Sequence, residues 1–179
     1  SVYDKEAKRE VIDAAKGAGN SIEIYEDFPR DYDAWEITNY YREKKYLLDD
    51  VRSVKPVRDG ARAGFAVCRR FLESTVEQHI WLYEDIKKID FETAIDWKQE
   101  HLLVKAAFPV KINSGRATYE VQFGSLERPT HSNTSWDAAK FEVCAHKYCD
   151  FAEYDYGVAM LNDCKYGHDI HDGVMRLTL

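Results

Sequence analysis

Val76-Glu77-Gln78-His79-Ile80-Trp81-Leu82-Tyr83-Glu84-Asp85-Ile86-Lys87-Lys88-Ile89-Asp90-Phe91-Glu92-Thr93-Ala94-Ile95-Asp96-Trp97 is the stretch that decides the fold. Val76, Ile80 and Leu82 alternate with Glu77, His79 and Trp81. Ile89, Phe91, Thr93, Ile95 and Trp97 alternate with Asp90, Glu92 and Asp96. Every second side chain of a strand shares a face, so each run reads as a strand with one apolar face. Upstream, Phe65, Val67 and Phe71 fit one more strand with room for a bulge, and Asp59-Gly60 signals a hairpin before it. Strands recurring about every dozen residues predict an antiparallel sandwich.

Working outward, Gly17-Ala18-Gly19-Asn20 is a turn, and Ile22, Ile24 and Tyr25 form the next strand. Phe28 to Trp35 is an aromatic and acidic loop in which Pro29 lacks an amide donor. Tyr40, Tyr41, Tyr46, Leu47, Leu48, Val51 and Val54 fit further extended structure. Leu102 to Phe108 is continuously apolar apart from Lys105, which predicts burial on both faces, and Pro109 ends it. Asn113-Ser114-Gly115 turns into a strand through Tyr119, Val121 and Phe123. Alternation then stops for about fifteen residues, longer than the usual loop. Phe141, Val143 and Ala145 resume the sheet, and Tyr156 to Leu161 and Val174 to Leu179 are strands. The last strand stops without a turn or cap, as if cut midway. Ser1 to Gly19 is helical by propensity, but Val2, Tyr3, Val11 and Ile12 form no helical stripe.

The 179 residues suffice for one domain with a core. Hydrophobic residues at 45% and charged residues at 32% mark a globular chain rather than a disordered one. A net charge of -7 argues against a nucleic-acid surface. No apolar run reaches the roughly 20 residues of a membrane span, and the start lacks a secretory pattern. Cys68, Cys144, Cys149 and Cys164 are too few for a disulfide scaffold. Cys144 and Cys149, placed on one strand or its end, would face opposite ways. All four read as reduced thiols of an intracellular, cytoplasmic protein.

The loop after Phe123 carries Arg128, His131, Asn133, Trp136 and Asp137. Dense polar groups beside a Trp suit a sugar, whose hydroxyls need paired donors and acceptors. The plainer reading is an ordered loop whose side chains cap its own backbone. His168 with His171, and Cys144 with His146 and Cys149, lack the ligand number or the common face that zinc needs. The loop acids Asp33, Asp137 and Asp163 cap turns or pair with Arg128 or Lys165 in the plainer reading.

Glu127-Arg128-Pro129-Thr130-His131, Asn133-Thr134-Ser135-Trp136-Asp137-Ala138-Ala139, Phe141-Glu142-Val143-Cys144-Ala145-His146-Lys147 and Leu161-Asn162-Asp163-Cys164-Lys165-Tyr166-Gly167 resemble consecutive blocks of family 38 glycoside hydrolases, the α-mannosidases, in their cytosolic and bacterial branch. Glu26-Asp27 and Tyr32-Asp33-Ala34-Trp35-Glu36-Ile37 resemble the same branch in the same order. The resemblance implies a galactose-mutarotase-like super-sandwich of two large antiparallel sheets over residues 1–179, a single domain. It also implies a β-hairpin turning at Lys5 to Lys8. It makes the chain a fragment of a longer enzyme, whose zinc-bearing barrel and helical bundle lie ahead of it. That parent would be a retaining enzyme removing terminal α-mannose from oligosaccharides. The chain itself would hold neither catalytic residues nor metal. It would brace the barrel and complete the active-site rim with Asp33, Trp35, Arg128, His131, Asn133, Trp136, Asp137, Asp163, Lys165 and Tyr166. Two other functions are open to such a chain. A stand-alone carbohydrate-binding module needs a cleft with stacking aromatics. A mutarotase-like epimerase needs an acid and a base converging on one pocket, for which only His131 with Glu127 or Asp137 would serve.

Overall fold

The computed structural model describes residues 1–33 and 35–179; Ala34, within the Tyr32–Ile37 motif, lies outside the described residues. The strands are β1 Tyr3–Asp4, β2 Arg9–Glu10, β3 Ser21–Glu26, β4 Lys45–Leu47, β5 Val51–Asp59, β6 Arg62–Phe71, β7 Ser74–Tyr83 and β8 Ile86–Asp96. They continue as β9 Leu102–Pro109, β10 Arg116–Val121, β11 Gly124–Pro129, β12 Val143–Cys144, β13 Tyr148–Ala152, β14 Gly157–Leu161, β15 Gly167–His171 and β16 Val174–Thr178. A 3₁₀ turn covers Asn39–Glu43, and a single-turn helix, α1, covers Ser135–Ala138. The fold is thus an all-β, multi-sheet antiparallel sandwich. The chain divides into two compact units, Ser1–Lys45 with Leu103–Leu179, and Tyr46–Leu102.

The first unit holds a six-stranded sheet, β12-β15-β16-β9-β3-β4, a four-stranded sheet, β11-β10-β13-β14, and the β1-β2 hairpin. The hairpin turns between Asp4 and Arg9, where Asp4 accepts from the amides of Glu6 and Ala7. The propensity for helix loses there to a side chain that caps a turn. The core joins the two larger sheets. Ala117, Tyr119, Cys149 and Phe151 meet Ile170 and Met175, with Val110, Ile112 and Ala145 filling the ends. In β9, Val104 to Ala107 are all buried, as a strand covered on both faces requires. Lys105 is among them.

The structure corrects the sequence reading in four places here. The strand expected to run through Phe123 ends at Val121. A two-residue turn follows, with Phe123 at φ 63°, and β11 pairs with β10 from Gly124 to Pro129. Six residues of the expected loop, Gly124–Pro129, are therefore strand. β11 is a sheet edge whose first four residues are exposed, so hydrophobic alternation does not mark it. Tyr40 and Tyr41 are in the 3₁₀ turn rather than extended, with the Tyr41 ring edge-on to Tyr25 at 5.1 Å. Cys144 and Cys149 do not share a strand; β12 and β13 belong to different sheets, and the chain crosses between them at 145–147. Finally, Phe141 and Ala145 flank a strand of only two residues, Val143–Cys144.

The second unit is a four-stranded antiparallel meander, β5-β6-β7-β8. Its first turn is the expected Asp59-Gly60, with Gly60 at φ 57°, a left-handed value that glycine adopts without penalty. β6 pairs without interruption to β7, and the register shift lies in β5 between Val51 and Ser53 instead. The alternation assigned the faces correctly: Phe65, Ile80 and Phe91 lie in one cross-strand row. Burial differs from the expectation. Leu82 on the apolar face is 55% exposed, whereas Trp81 on the polar face is 5% exposed. Arg62 covers Trp81, its Cζ 4.3 Å from the ring centroid, and Glu92 holds Arg62 at 2.5 Å. A cation lying on the Trp face shields it as an apolar neighbour would.

Candidate functional site

The motif residues of the first unit gather into three clusters. The first follows β11. Thr134, in extended conformation, caps α1 by accepting from the Asp137 amide at 3.1 Å and donating to Asp137 Oδ2 at 2.8 Å. Asp137 Oδ2 stands 3.7 Å from His131 Nδ1, which accepts a long bond from the Asn133 amide. His131, Thr134 and Asp137 thus hold their own loop, as the plainer reading expects. Asn133 and Trp136 project from it, Trp136 being 80% exposed. Arg128 turns the other way. Its guanidinium lies over the Tyr119 ring at 4.8 Å, and its Nη1 is buried with no hydrogen-bond partner among the described residues. Glu127 pairs with Arg116 at 3.3 Å rather than with His131.

The second cluster joins two sequence blocks through Asn162. Its Oδ1 accepts from the amides of Cys164 and Lys165 at 3.2 and 2.7 Å. Its Nδ2 donates to the His146 carbonyl at 3.1 Å and faces His168 Nε2 at 3.4 Å. His168 Nδ1 donates to the Tyr166 carbonyl at 3.1 Å, which leaves Nε2 as the acceptor. Burial lowers the His168 pKa and favours this neutral form. Lys147 Nζ reaches the Asp163 carbonyl, and the half-exposed Tyr166 ring stands edge-on to His146 at 5.5 Å. The blocks Phe141–Lys147 and Leu161–Gly167, fourteen or more residues apart, therefore form one surface.

The third cluster is an open groove lined by Asp31, Tyr32, Trp35, Glu36 and Ile37. Tyr32 and Trp35 stack at 6.0 Å and 16°, and Trp35 is 88% exposed. Asp33 belongs to this loop but does not line the groove. The three clusters account for all ten rim candidates; the geometry brings His131 to Asp137 and unites Asp163, Lys165 and Tyr166 in one loop.

Sequence reasoning missed a charged network on the face of the six-stranded sheet away from the core. Lys105 is fully buried, and its Nζ bonds Asp169 Oδ2 at 2.8 Å and Glu142. Arg176 bonds Asp169 Oδ1 at 3.1 Å and Glu23 Oε2 at 2.7 Å. Tyr25 and Lys45 also reach Glu23, at 2.5 and 3.0 Å, and Thr178 reaches Glu142 at 2.5 Å. Arg42 approaches Asp169 at 3.5 Å and donates to the Phe141 carbonyl at 2.6 Å. Burial works to raise the Asp169 pKa. The charges of Lys105 and Arg176 outweigh it and hold the carboxyl well below the usual carboxylate range; His171 Nδ1, at 3.7 Å, is too distant for a direct bond. Burial likewise works against charged Lys105, but Asp169 and Glu142 raise its pKa overall. The one available signal was Lys105 itself, an ionic residue inside an apolar strand, which must be paired to be buried there.

Among the described residues no three His, Cys, Asp or Glu side chains gather to hold a metal ion. No helix among the described residues is long and apolar enough to cross a membrane.

Residues 1–179 match the model of the glycosyl hydrolases family 38 C-terminal domain. Alpha-mannosidase 2C1 of Homo sapiens is 38% identical over 175 residues, covering 96% of this chain and 17% of the human protein. Alpha-mannosidase G of Dictyostelium discoideum is 37% identical over 187 residues, covering 100% of this chain and 17% of its own. The Saccharomyces cerevisiae alpha-mannosidase is 36% identical, with 100% and 18% covered. The chain therefore spans about a sixth of the curated relatives it matches. Among solved structures, an alpha-mannosidase from Enterococcus faecalis superposes with a TM-score of 0.81 at 11% identity, over 99% of this chain and 23% of that one.

Proposed function

The chain belongs to glycosyl hydrolase family 38, as a C-terminal domain of that family, and on that premise we propose that it is the non-catalytic β-sandwich part of a retaining α-mannosidase. The parent hydrolyses terminal α-linked mannose from oligosaccharides. The observation that carries this is identity of 36–39% to α-mannosidases over nearly the whole chain. The family resemblance implies zinc in the parent. The described residues of this chain do not fit it: His168 is engaged by Tyr166 and Asn162, and no ligand set converges. No chemical step is assigned to zinc on this chain, and in this proposal the isolated chain turns nothing over. Four unpaired cysteines suit a reducing compartment, so the cytoplasm is proposed.

This part of the enzyme braces the catalytic barrel and completes the active-site rim. Asp33, Trp35, Asn133, Trp136, Asp163 and Tyr166 are the residues whose exposure leaves them available to a sugar or to the barrel. Lys165, His131, Asp137 and Arg128 support the same loops. Trp136→Ala and Asn133→Ala, made in the α-mannosidase that carries this chain, test the rim. Kinetics on an α-mannosyl oligosaccharide and thermal melting are measured on each. A rim role lowers kcat/KM by roughly ten- to a hundredfold, about 1.4–2.7 kcal/mol, with little change in Tm. Unchanged kcat/KM with a Tm several degrees lower leaves these loops as braces alone.

A further inference from the structure

The sheet of the second unit has two unlike faces. Cross-strand register places Pro56, Phe65, Ile80 and Phe91 in one row, with Ala63, Leu82 and Ile89 beyond it and Val54 beside Val67 behind it. Val54, Phe65 and Leu82 are 56%, 53% and 55% exposed. The opposite face carries Lys55, Arg62, Glu77, His79, Asp90 and Glu92, whose ion pairs and Trp81 stack suit water. The apolar face is covered only toward its other end, where Val67, Val76 and Gln78 are buried and Phe71 stacks on Trp97 at 6.0 Å.

A sheet buries its apolar face against a second layer, and a contiguous exposed one marks an interface. The character of this face tells which kind. Arg58 is the charge at its open end, and Arg69 behind it is already held by Gln78 at 2.6 Å. The charges that border this face lie in the β5–β6 and β7–β8 turns at its end, whereas its middle is core-like and apolar, and such a surface fits a permanent contact. About five-sixths of the relatives' length lies outside these residues. We propose that the open Val54–Phe65–Leu82 face is an internal docking surface, covered in the whole α-mannosidase by polypeptide of the same molecule outside these 179 residues. The inference rests on the reading of the chain as part of a longer α-mannosidase, and it names the face that does the bracing.

Single cysteines on the two faces test it. Ala63→Cys and Val54→Cys lie on the apolar face, and Ala94→Cys lies on the polar face of the same sheet. All three native residues are exposed in this chain. In the full-length protein, a thiol reagent is applied and modification is read site by site by peptide mass spectrometry, which separates the native cysteines. The expected result is labelling at positions 54 and 63 at least tenfold slower than at 94, in a monomer and unchanged by dilution. Equal rates on both faces would overturn the proposal. Protection that vanishes on dilution would also overturn it, assigning the face to a second copy. Hydrolysis of α-mannosides is assayed on the same samples; protection without hydrolysis would sink the enzymatic reading and leave the docking surface standing.

Discussion

Replacing Lys105 with Met would remove a charge while nearly keeping its volume, and the cost follows from the geometry. Lys105 Nζ lies 2.8 Å from Asp169 Oδ2. At an effective dielectric constant near 20, that separation gives about 6 kcal/mol of attraction before desolvation is subtracted. The Met variant also loses the bond to Glu142 and leaves two carboxylates facing an apolar side chain. Breaking a buried pair from one side costs about 3–5 kcal/mol, because the remaining charge stays desolvated. In a chain of this length each 1 kcal/mol moves Tm by about 2–4 °C, so the melting point falls by about 6–20 °C. Urea unfolding followed by circular dichroism measures the free energy directly. Adding Glu142→Gln to Lys105→Met removes one of the stranded charges and recovers part of the loss. A penalty below about 1 kcal/mol for the single variant would mean that water reaches Asp169 and that the network is not sealed from solvent.

Other expectations follow from neighbouring features. The Asp169 pKa is lower folded than unfolded, so its contribution is present above the unfolded value near 3.9 and lost as pH falls toward the folded one; Asp169→Asn should flatten the acid limb of a stability–pH curve, and an unchanged limb would refute this. A thiol reagent should modify exposed Cys144 and Cys164 readily in the native chain and Cys149 only on unfolding, since burial pushes the Cys149 thiol up to about 12; four thiols should titrate after unfolding without reductant, and two disulfides would contradict a reducing compartment. A Cβ on Gly64 would fall 1.8 Å from the Ile80 carbonyl oxygen of the neighbouring strand. Gly64→Ala should therefore disrupt the β6–β7 pairing; a soluble variant with unchanged urea midpoint would show that the strands separate easily there.

The sequence carried most of the strands whose faces differ in polarity. β7 and β8 were legible because their alternation is regular, and β9 because it is buried on both sides. β11 and β15 were not. The first four residues of β11 are exposed at a sheet edge, so nothing in their hydrophobicity records the pairing. β15, Gly-His-Asp-Ile-His, is buried almost throughout, yet its polar residues hide that. His168 is buried because Asn162 and Tyr166 in the preceding loop bond it, which hydrophobicity does not record, and Asp169 because Arg176 across the hairpin and the distant Lys105 do. The candidate site was legible as blocks and not as a surface. Nothing in the order of residues says that Asn162 ties His146 to Lys165, or that Thr134 and Asp137 close the loop beside His131.

The Arg176–Glu23 bond joins residues 153 positions apart, and β3 reaches β16 only across β9. On a ribosome adding roughly 5–20 residues per second, Glu23 waits about 8–30 s for its partner. During that interval β3 is an apolar strand, Ile22-Glu23-Ile24-Tyr25, that must avoid pairing wrongly. A carboxylate at its centre makes every dry, incomplete pairing costly until Arg176 arrives. The network therefore acts in time as well as in space: it withholds full burial of the oldest large strand until the youngest is made. Folding of this unit should be late and cooperative, with β3 and β16 locking together across β9.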